Sequence, residues 1–352
     1  MPIFGELIYN YYNMPKKQIA FVVNPISGGM NKGAIADTIR SALDARTIEY
    51  KIVYTERAGH AYDLAKSFVQ HNANAVVAVG GDGTVNEVAR ALVHTHTALA
   101  IIPCGSGNGL ARHLRIPLNP QSALKIVSRF QTELLDYGRI NDTPFFCTCG
   151  IGFDAFVSAK FAQSEKRGPL AYLENTLREG LTYKPDTYTL TTDADTTTHK
   201  AFLIACANAS QYGNNARIAP HASMSDGLMD VTIIEPFNAL EAPQIALQLF
   251  NGTLPQNNKI HTFRCKQITI TRAQPGLIHA DGEPLTTGTQ IHVQLIRHAL
   301  NTIINTHPQE NIIEQNVSQL YRQLITLRNN LRERNQEAFD KMKTEIIRKL
   351  QK

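Results

Sequence analysis

From residue 18 to residue 130, short apolar runs alternate with amphipathic stretches: QIAFVVN, KGAIADTIRSAL, YKIVYT, AYDLAKSFVQ, AVVAVGG, VNEVARALV, ALAIIP, GLARHL and PQSALKIVSRF. No other feature limits the fold as severely. A strand that is apolar at every position has no face to give to water, so it must be covered on both sides. The intervening segments carry apolar residues at helical spacing and can supply that cover. Four strands interleaved with helices predict a parallel α/β sheet, and in that architecture ligands bind at the loops that follow the strands.

After about residue 137 the rhythm changes to FFCTCGIGF, DTYTLTT, KAFLIACAN, LMDVTIIEP, IHTFRCKQITITR, LIHADGEPL and TQIHVQLIR. These runs of alternating Thr, Ile, Val and Phe, broken by Gly, Asn and Asp, predict an antiparallel β-sandwich or barrel with one helix near 238–250. From residue 308, Val317, Leu320, Leu324, Leu327 and Leu331 recur at spacings of three and four. The seam shifts phase near Arg334 to Gln336 and resumes at Phe339, Met342, Ile346 and Leu350, which predicts two helical pieces. The expected organisation is an α/β nucleotide-binding domain over 15–137, a β-sandwich domain over 138–304 and a helical extension over 305–352. The extension is expected to pack back on the first domain, with a homodimer or membrane contact as the alternatives.

A chain of 352 residues, 43% of them hydrophobic, can bury a large core. Lys and Arg number 35 against 30 for Asp and Glu, a formal charge of +5. They are scattered, so anionic partners are weakly favoured and no nucleic-acid partner is expected. Five cysteines, an odd number with only Cys147 and Cys149 close together, suggest a reducing, cytoplasmic compartment. Those two would share one face of a strand and sit in the core. His94 and His96 have no nearby acid or cysteine to complete a metal site. No apolar run reaches the roughly 18–20 residues of a membrane-spanning helix, so any membrane contact should be peripheral. The opening MPIFGELIYNYYN lacks a basic n-region and a sustained apolar core, and Met14 could be the true start, with residues 1–13 loosely held.

VVAVGGDGTVNEVARAL, residues 76–92, sets an acid among three glycines at a strand-to-helix turn. One glycine usually suffices there; the extra ones clear the backbone where helix amides point outward, which suits a phosphate. Asp82 would repel that phosphate unless a metal ion lay between them. Two further loops follow predicted strands, Asn24-Pro25-Ile26-Ser27-Gly28-Gly29 and Pro103-Cys104-Gly105-Ser106-Gly107-Asn108-Gly109. In a parallel sheet they would emerge at the same edge as Gly80-Gly81-Asp82-Gly83-Thr84. Each alone reads as ordinary turn chemistry. Three together point to one nucleotide pocket, although none is a Walker A loop.

NPISGG, GGDGTVNEV, PCGSGNGLARHL, LLDYGRIN with GIGFDA, SDGLMDV and HADGEP occur in the order found in the bacterial diacylglycerol kinase-like lipid kinases, relatives of the sphingosine and ceramide kinases. The chain resembles that family over roughly residues 18 to 300. The resemblance implies an α/β domain like those of the NAD and diacylglycerol kinases, followed by a β-sandwich, and ATP-dependent phosphorylation of a lipid hydroxyl. It implies that Asn24, Pro25, Ser27, Gly28, Thr55, Gly80, Gly81, Asp82, Gly83, Thr84, Asn86 and Ser106, with Gly107 and Asn108 of the same loop, bind ATP. Asp82 would hold the catalytic Mg²⁺, Asp136 would support that network, and Glu283 would be the general base. Asp226, with the carbonyls of Ser223 and Leu228, would hold a second, structural Mg²⁺. The third loop, GSGNGLA, is worded more like the sphingosine and ceramide kinases than like the GTxND of many bacterial relatives. A sphingoid base or ceramide is therefore an alternative to a diacylglycerol-like lipid.

The chemistry of phosphoryl transfer agrees with these roles, since it needs an in-line hydroxyl, a metal for the phosphate oxygens and a base. DGEP also describes a plain hairpin turn, and SDGLMD an Asx turn. A soluble NAD kinase-like enzyme and a catalytically silent nucleotide-binding regulator are the rival readings. Phe153 to Leu181, with Phe156, Lys160, Phe161, Lys166 and Arg167, suits either a membrane interface or a buried helix. The expected partner is a lipid substrate at a membrane surface.

Overall fold

The computed structural model describes residues 16–27, 32–163, 183–238 and 240–306. β1 (Lys17–Val23), β2 (Ile48–Tyr54), β3 (Ala75–Gly80) and β4 (Ala98–Pro103) lie in the order β2-β1-β3-β4, each neighbouring pair parallel. β3 and β4 are buried at every residue, which is why they read as unbroken apolar runs; β2 alternates because it is the edge. Helices Lys32–Ala42, His60–Gln70 and Asp82–Leu92 connect the strands, and Gly109–His113 and Pro120–Arg129 follow β4.

The helix Pro120–Arg129 carries its own start and stop. The Asn119 side chain accepts from Ser122 N at 3.1 Å, Pro120 presets the first helical φ, and Phe130 ends the helix in the left-handed region. Its face of Ala123, Leu124, Ile126 and Val127 is buried, Leu124 and Ile126 contributing about 1.5–3 kcal/mol each. Register decides where the loops come out. Val23 lies beside Val79 and Gly80 beside Pro103, so the chain leaves β1, β3 and β4 at one edge of the sheet.

The second half contributes β5 (Thr132–Ile140), β6 (Thr143–Phe145), β7 (Thr148–Gly152), β8 (Asp186–Thr191), β9 (Thr196–Ala201), β10 (Leu203–Ala207), β11 (Met229–Ile234), β12 (Ile260–Cys265), β13 (Gln267–Arg272), β14 (Gly276–Ala280), β15 (Glu283–Thr287) and β16 (Gln290–Ile303). An antiparallel sheet runs β12-β11-β10-β7-β14-β15. Phe145, Cys149, Ile151, Leu190, Val231, Ile270 and Ile291, drawn from both sheets, share one buried cluster. The helix near 238–250 is Ala242–Asn251.

β16 alters the expected division into consecutive domains. It pairs antiparallel with β13 and β5; past a register shift between Ile296 and Leu300, Thr302 then lies parallel to Leu99 of β4. The parallel sheet thereby continues into the second half as one path, β2-β1-β3-β4-β16-β13-β8-β9. Residue 137, the expected end of the first domain, falls inside β5 rather than in a linker. A strand of 14 residues is long enough to serve both halves, and periodicity does not say which neighbours a strand will take. The helical extension expected over 305–352 lies, beyond residue 306, outside the described residues.

Cys147 and Cys149 do not share a face. Cys149 is fully buried in the cluster between the sheets, while Cys147 precedes β7 and packs against the core of the first half. The regular alternation fails there because Asp281 captures the amides of residues 146–148. His94 ends beside the Tyr137 hydroxyl at 3.1 Å. In the helix Phe153–Gln163, Phe153 packs against Phe202 with centroids 4.5 Å apart, and Phe156 packs on Tyr183 at 5.6 Å. The Phe161 side chain, Lys166 and Arg167 lie outside the described residues.

Candidate active site

Backbone contact between two loops explains the glycines. A Cβ on Gly105 would sit 2.6 Å from Gly81 Cα, and one on Gly80 would meet the Thr84 side chain at 2.5 Å. Neither position tolerates a side chain. Gly83 is different: a Cβ there would have nothing within 4 Å, so this glycine faces open space. Gly81 is the N-cap of the helix Asp82–Leu92 and has no side chain with which to cap it. Its first amides therefore lack the usual internal acceptors and are available to an anion. Asn24 Nδ2 donates to Thr84 Oγ1 at 3.0 Å, and Gly81 N donates to Ser27 Oγ at 3.3 Å, fastening the first loop to the second. Pro25 is in the turn between them, and Gly28 is outside the described residues. Thr55, buried at the end of β2, donates its amide to Val23 O at 2.9 Å.

Asp82 turns its charge toward the third loop. Its two carboxylate oxygens accept from Asn108 N at 2.8 Å and Gly109 N at 2.7 Å, and a Cβ on Gly107 would collide with it at 2.7 Å. Burial pushes the Asp82 carboxyl above its usual range, while the two amides and the Arg112 guanidinium pull it back. The repulsion expected between Asp82 and a phosphate is thus met partly by protein groups. Asn108, itself left-handed at φ 52, accepts from Gly105 N at 3.0 Å and donates to Gly105 O at 2.7 Å. Ser106 is left exposed at the crown of this loop.

From the second half, the segment 210–215 closes over that loop. Asn214 N donates to Gly107 O at 3.1 Å, and Arg112 bridges Gly107 O to Asn215 Oδ1. His113 Nδ1 lies 3.0 Å from both Ser210 N and Ser210 Oγ, and burial drops its pKa to about 4. The ring is neutral near pH 7 and can accept from the Ser210 amide.

HADGEP folds as a hairpin joining β14 to β15, with Asp281 and Gly282 both at positive φ. Glu283 is exposed at the first position of β15, across from Ala280. The acid of this motif that the fold fastens is Asp281, half-buried, which residue-type reasoning about the base passed over. Its Oδ2 accepts from Phe146 N and from Asn86 Nδ2, each at 2.8 Å, and its Oδ1 accepts from Cys147 N at 2.8 Å and Thr148 N at 3.1 Å. Burial raises its pKa against the pull of these four donors. Asn86 stands one helical turn from Asp82, so Asp281 fastens the Glu283 hairpin to the helix that carries the glycine loop. An Asp before Gly was the only local signal, and it reads equally well as a turn.

Asp136 is brought elsewhere. Fully buried, it accepts from Gly227 N at 2.8 Å and His298 N at 2.7 Å, holding SDGLMD against the irregular part of β16. In SDGLMD, Asp226 Oδ1 accepts from Leu228 N at 3.0 Å, and Oδ2 forms an ion pair with Arg264, which also lies 3.4 Å from Asp230. Ser223 Oγ accepts from Ser225 N at 3.4 Å. As folded, the motif is an Asx turn in which the Asp226 carboxylate has the Arg264 guanidinium as a positive partner. Among the described residues, no three His, Cys, Asp or Glu side chains converge on a metal site. Asp82 keeps spare lone pairs, and one carboxylate beside a phosphate cradle fits an Mg²⁺ that arrives with its nucleotide.

Comparison with known proteins gives the family and the fold. Residues 18–140 match the diacylglycerol kinase catalytic domain, and residues 147–304 match the YegS C-terminal NAD kinase beta sandwich-like domain. An uncharacterized protein of Synechocystis sp. is 31% identical over 299 residues, covering 80% of this chain and 68% of the relative. A diacylglycerol kinase of Mycobacterium tuberculosis is 28% identical over 275 residues, covering 76% and 88%. In fold, the chain is similar to a crystal structure of a diacylglycerol kinase from Bacillus anthracis (TM-score 0.64, 19% identity, 84% of this chain and 99% of that one). It is also similar to an NAD kinase from Archaeoglobus fulgidus in complex with ATP (TM-score 0.50, 15% identity, 85% and 99%). These matches define the class as a kinase, with a catalytic half followed by a β-sandwich half. The chain belongs to the family of diacylglycerol kinase-like lipid kinases. No helix among the described residues is long and apolar enough to cross a membrane.

Proposed function

We propose that this kinase transfers the γ-phosphoryl group of ATP to the hydroxyl of a diacylglycerol-like lipid taken from a membrane surface, working in the cytoplasm as a peripheral protein. The observation that carries the reading is the 2.8 Å bond from Asn86 to Asp281, which ties the Glu283 hairpin to the helix carrying the glycine loop. The amides at the start of the helix Asp82–Leu92, opened by Gly81 and Gly83, hold the phosphates. Asn24, Ser27 and Thr84 keep the first two loops in register, while Asp82, Asn108 and Arg112 brace the third.

Mg²⁺, held through Asp82 when bound, would neutralise the phosphate oxygens. Glu283 takes the proton of the lipid hydroxyl as that oxygen bonds to the γ-phosphorus; the bond to the β,γ-bridging oxygen breaks, and ADP leaves. The test is transfer of labelled phosphate from ATP to diacylglycerol, monoacylglycerol, sphingoid base, ceramide and NAD, with and without Mg²⁺. Label on diacylglycerol supports the reading. Label on sphingoid base or ceramide alone moves the acceptor, label on NAD alone overturns the lipid, and ATP binding without any product would mark a regulator.

A further inference from the structure

Glu283 is exposed, so where its carboxylate points depends on the backbone that precedes it. On one side that backbone is held by Asp281. On the other side stands His279, which is 1% exposed on β14. Its Nδ1 accepts from Gly282 N at 3.3 Å, which requires a bare lone pair and so assigns the ring proton to Nε2. Nε2 lies 2.9 Å from Asp154 Oδ2 but off the line of a hydrogen bond, so the contact is an attraction between the N–H dipole and the carboxylate. Asp154 Oδ2 is itself held by the Tyr212 hydroxyl at 2.8 Å, and the Tyr212 ring meets the imidazole edge-on with centroids 6.4 Å apart. Gly150 makes the room: a Cβ there would come within 2.5 Å of Asp154 Oδ2 and 3.0 Å of His279 Nε2.

We propose that His279 is a positioning residue for phosphoryl transfer, fixing the Gly282–Glu283 peptide against the helix Phe153–Gln163 through Asp154 and Tyr212. The proposal rests on the reading of Glu283 as the base. The hairpin is then gripped from both sides: Asp281 ties it to the nucleotide helix, and His279 ties it to the helix and loop of the second half. Tyr212 belongs to the segment that closes over Gly107, so the same cluster joins the base to the cover of the third loop. A turn held on one side only would leave Glu283 free to swing, and displacement of a reacting group by about 1 Å can cost roughly 100-fold in rate.

The test compares His279→Asn, His279→Gln and His279→Leu in the full chain. Asn places an oxygen near the position of Nδ1 and can still accept from Gly282 N; Gln reaches the position of Nε2, and Leu supplies neither. Amide hydrogen exchange at Gly282 and Glu283 is expected to quicken about tenfold or more in the Gln and Leu variants and to stay parental in Asn. Lipid phosphorylation should follow the same order, with kcat down about tenfold or more in Gln and Leu, largely recovered in Asn, and KM for ATP unchanged. Equal exchange in the Asn and Gln variants overturns the proposal, and that comparison stands even if the Leu variant fails to fold. A fall in melting temperature with kcat intact overturns it too, leaving His279 a core residue only. The exchange readout does not depend on catalysis: if it follows the expected order while the parent phosphorylates no lipid, the anchorage holds and the reading of Glu283 fails.

Discussion

Asp82 and Asp281 are two half-buried acids, one in each half of the molecule, and the carboxylates of both are held mainly by backbone amides. They differ in reach. Asp82 takes two amides that lie 26 and 27 residues away, within the same half, and so braces one loop against another. Asp281 takes three amides 133 to 135 residues away and the Asn86 side chain 195 residues away, so it joins the halves. The difference teaches that burial of an acid does not mark it as a catalyst. Either carboxylate can be a fastener, while the proposed base, Glu283, is exposed on the same hairpin.

The largest effect should come from breaking the longer fastener. Asp281→Ala strands three backbone amides and the Asn86 amide group, and is expected to cost about 3–5 kcal/mol of unfolding free energy by urea denaturation. A loss no larger than that of a surface substitution would mean that the other links between the halves, β16 and the contacts of segment 210–215 with the third loop among them, suffice without Asp281. Glu283→Gln should act in the opposite way: the unfolding midpoint stays put and Mg-ATP still binds by calorimetry, while lipid phosphorylation falls about 10²- to 10⁴-fold. Retention of the parental rate would remove Glu283 from the chemistry without touching the fold.

His113, where the second half closes over the third loop, gives a pH test of the same contact. Its pKa is lowered from an ordinary 6.5 to about 4, so the unfolded chain binds the proton more readily than the folded one. Its contribution is complete above pH 6.5 and is lost as pH falls toward about 4, amounting to about 3 kcal/mol over that window. His113→Gln should flatten this part of the stability profile; an unchanged slope would assign the acid sensitivity to other groups. Asp82→Asn is the smallest in stability, about 1–3 kcal/mol, because only two amides lose their charged partner. It should nevertheless abolish turnover and weaken Mg-ATP binding, and a variant that binds and turns over normally would leave Asp82 as a brace alone.

The alternation of β1 to β4 with their helices was legible because each element declares itself within about ten residues: full burial removes polar residues from a strand, and a helix repeats at 3.6. The three glycine loops were legible for the same local reason, and parallel register alone was enough to bring them to one edge. Three assignments were not open to that reading. β16 continues the first sheet because Thr302 lies beside Leu99, 203 residues earlier, and strand patterning carries no record of its neighbour. Cys147 leaves the face of Cys149 because Asp281 takes its amide from across the fold. Asp226 meets Arg264, 38 residues away, a partner that nothing within SDGLMD announces. Local periodicity decided the elements and the edge at which the loops gather. Which acid is buried, what neutralises it and which half it grips depend on amides brought together from distant parts of the chain, and only the tertiary structure decides those.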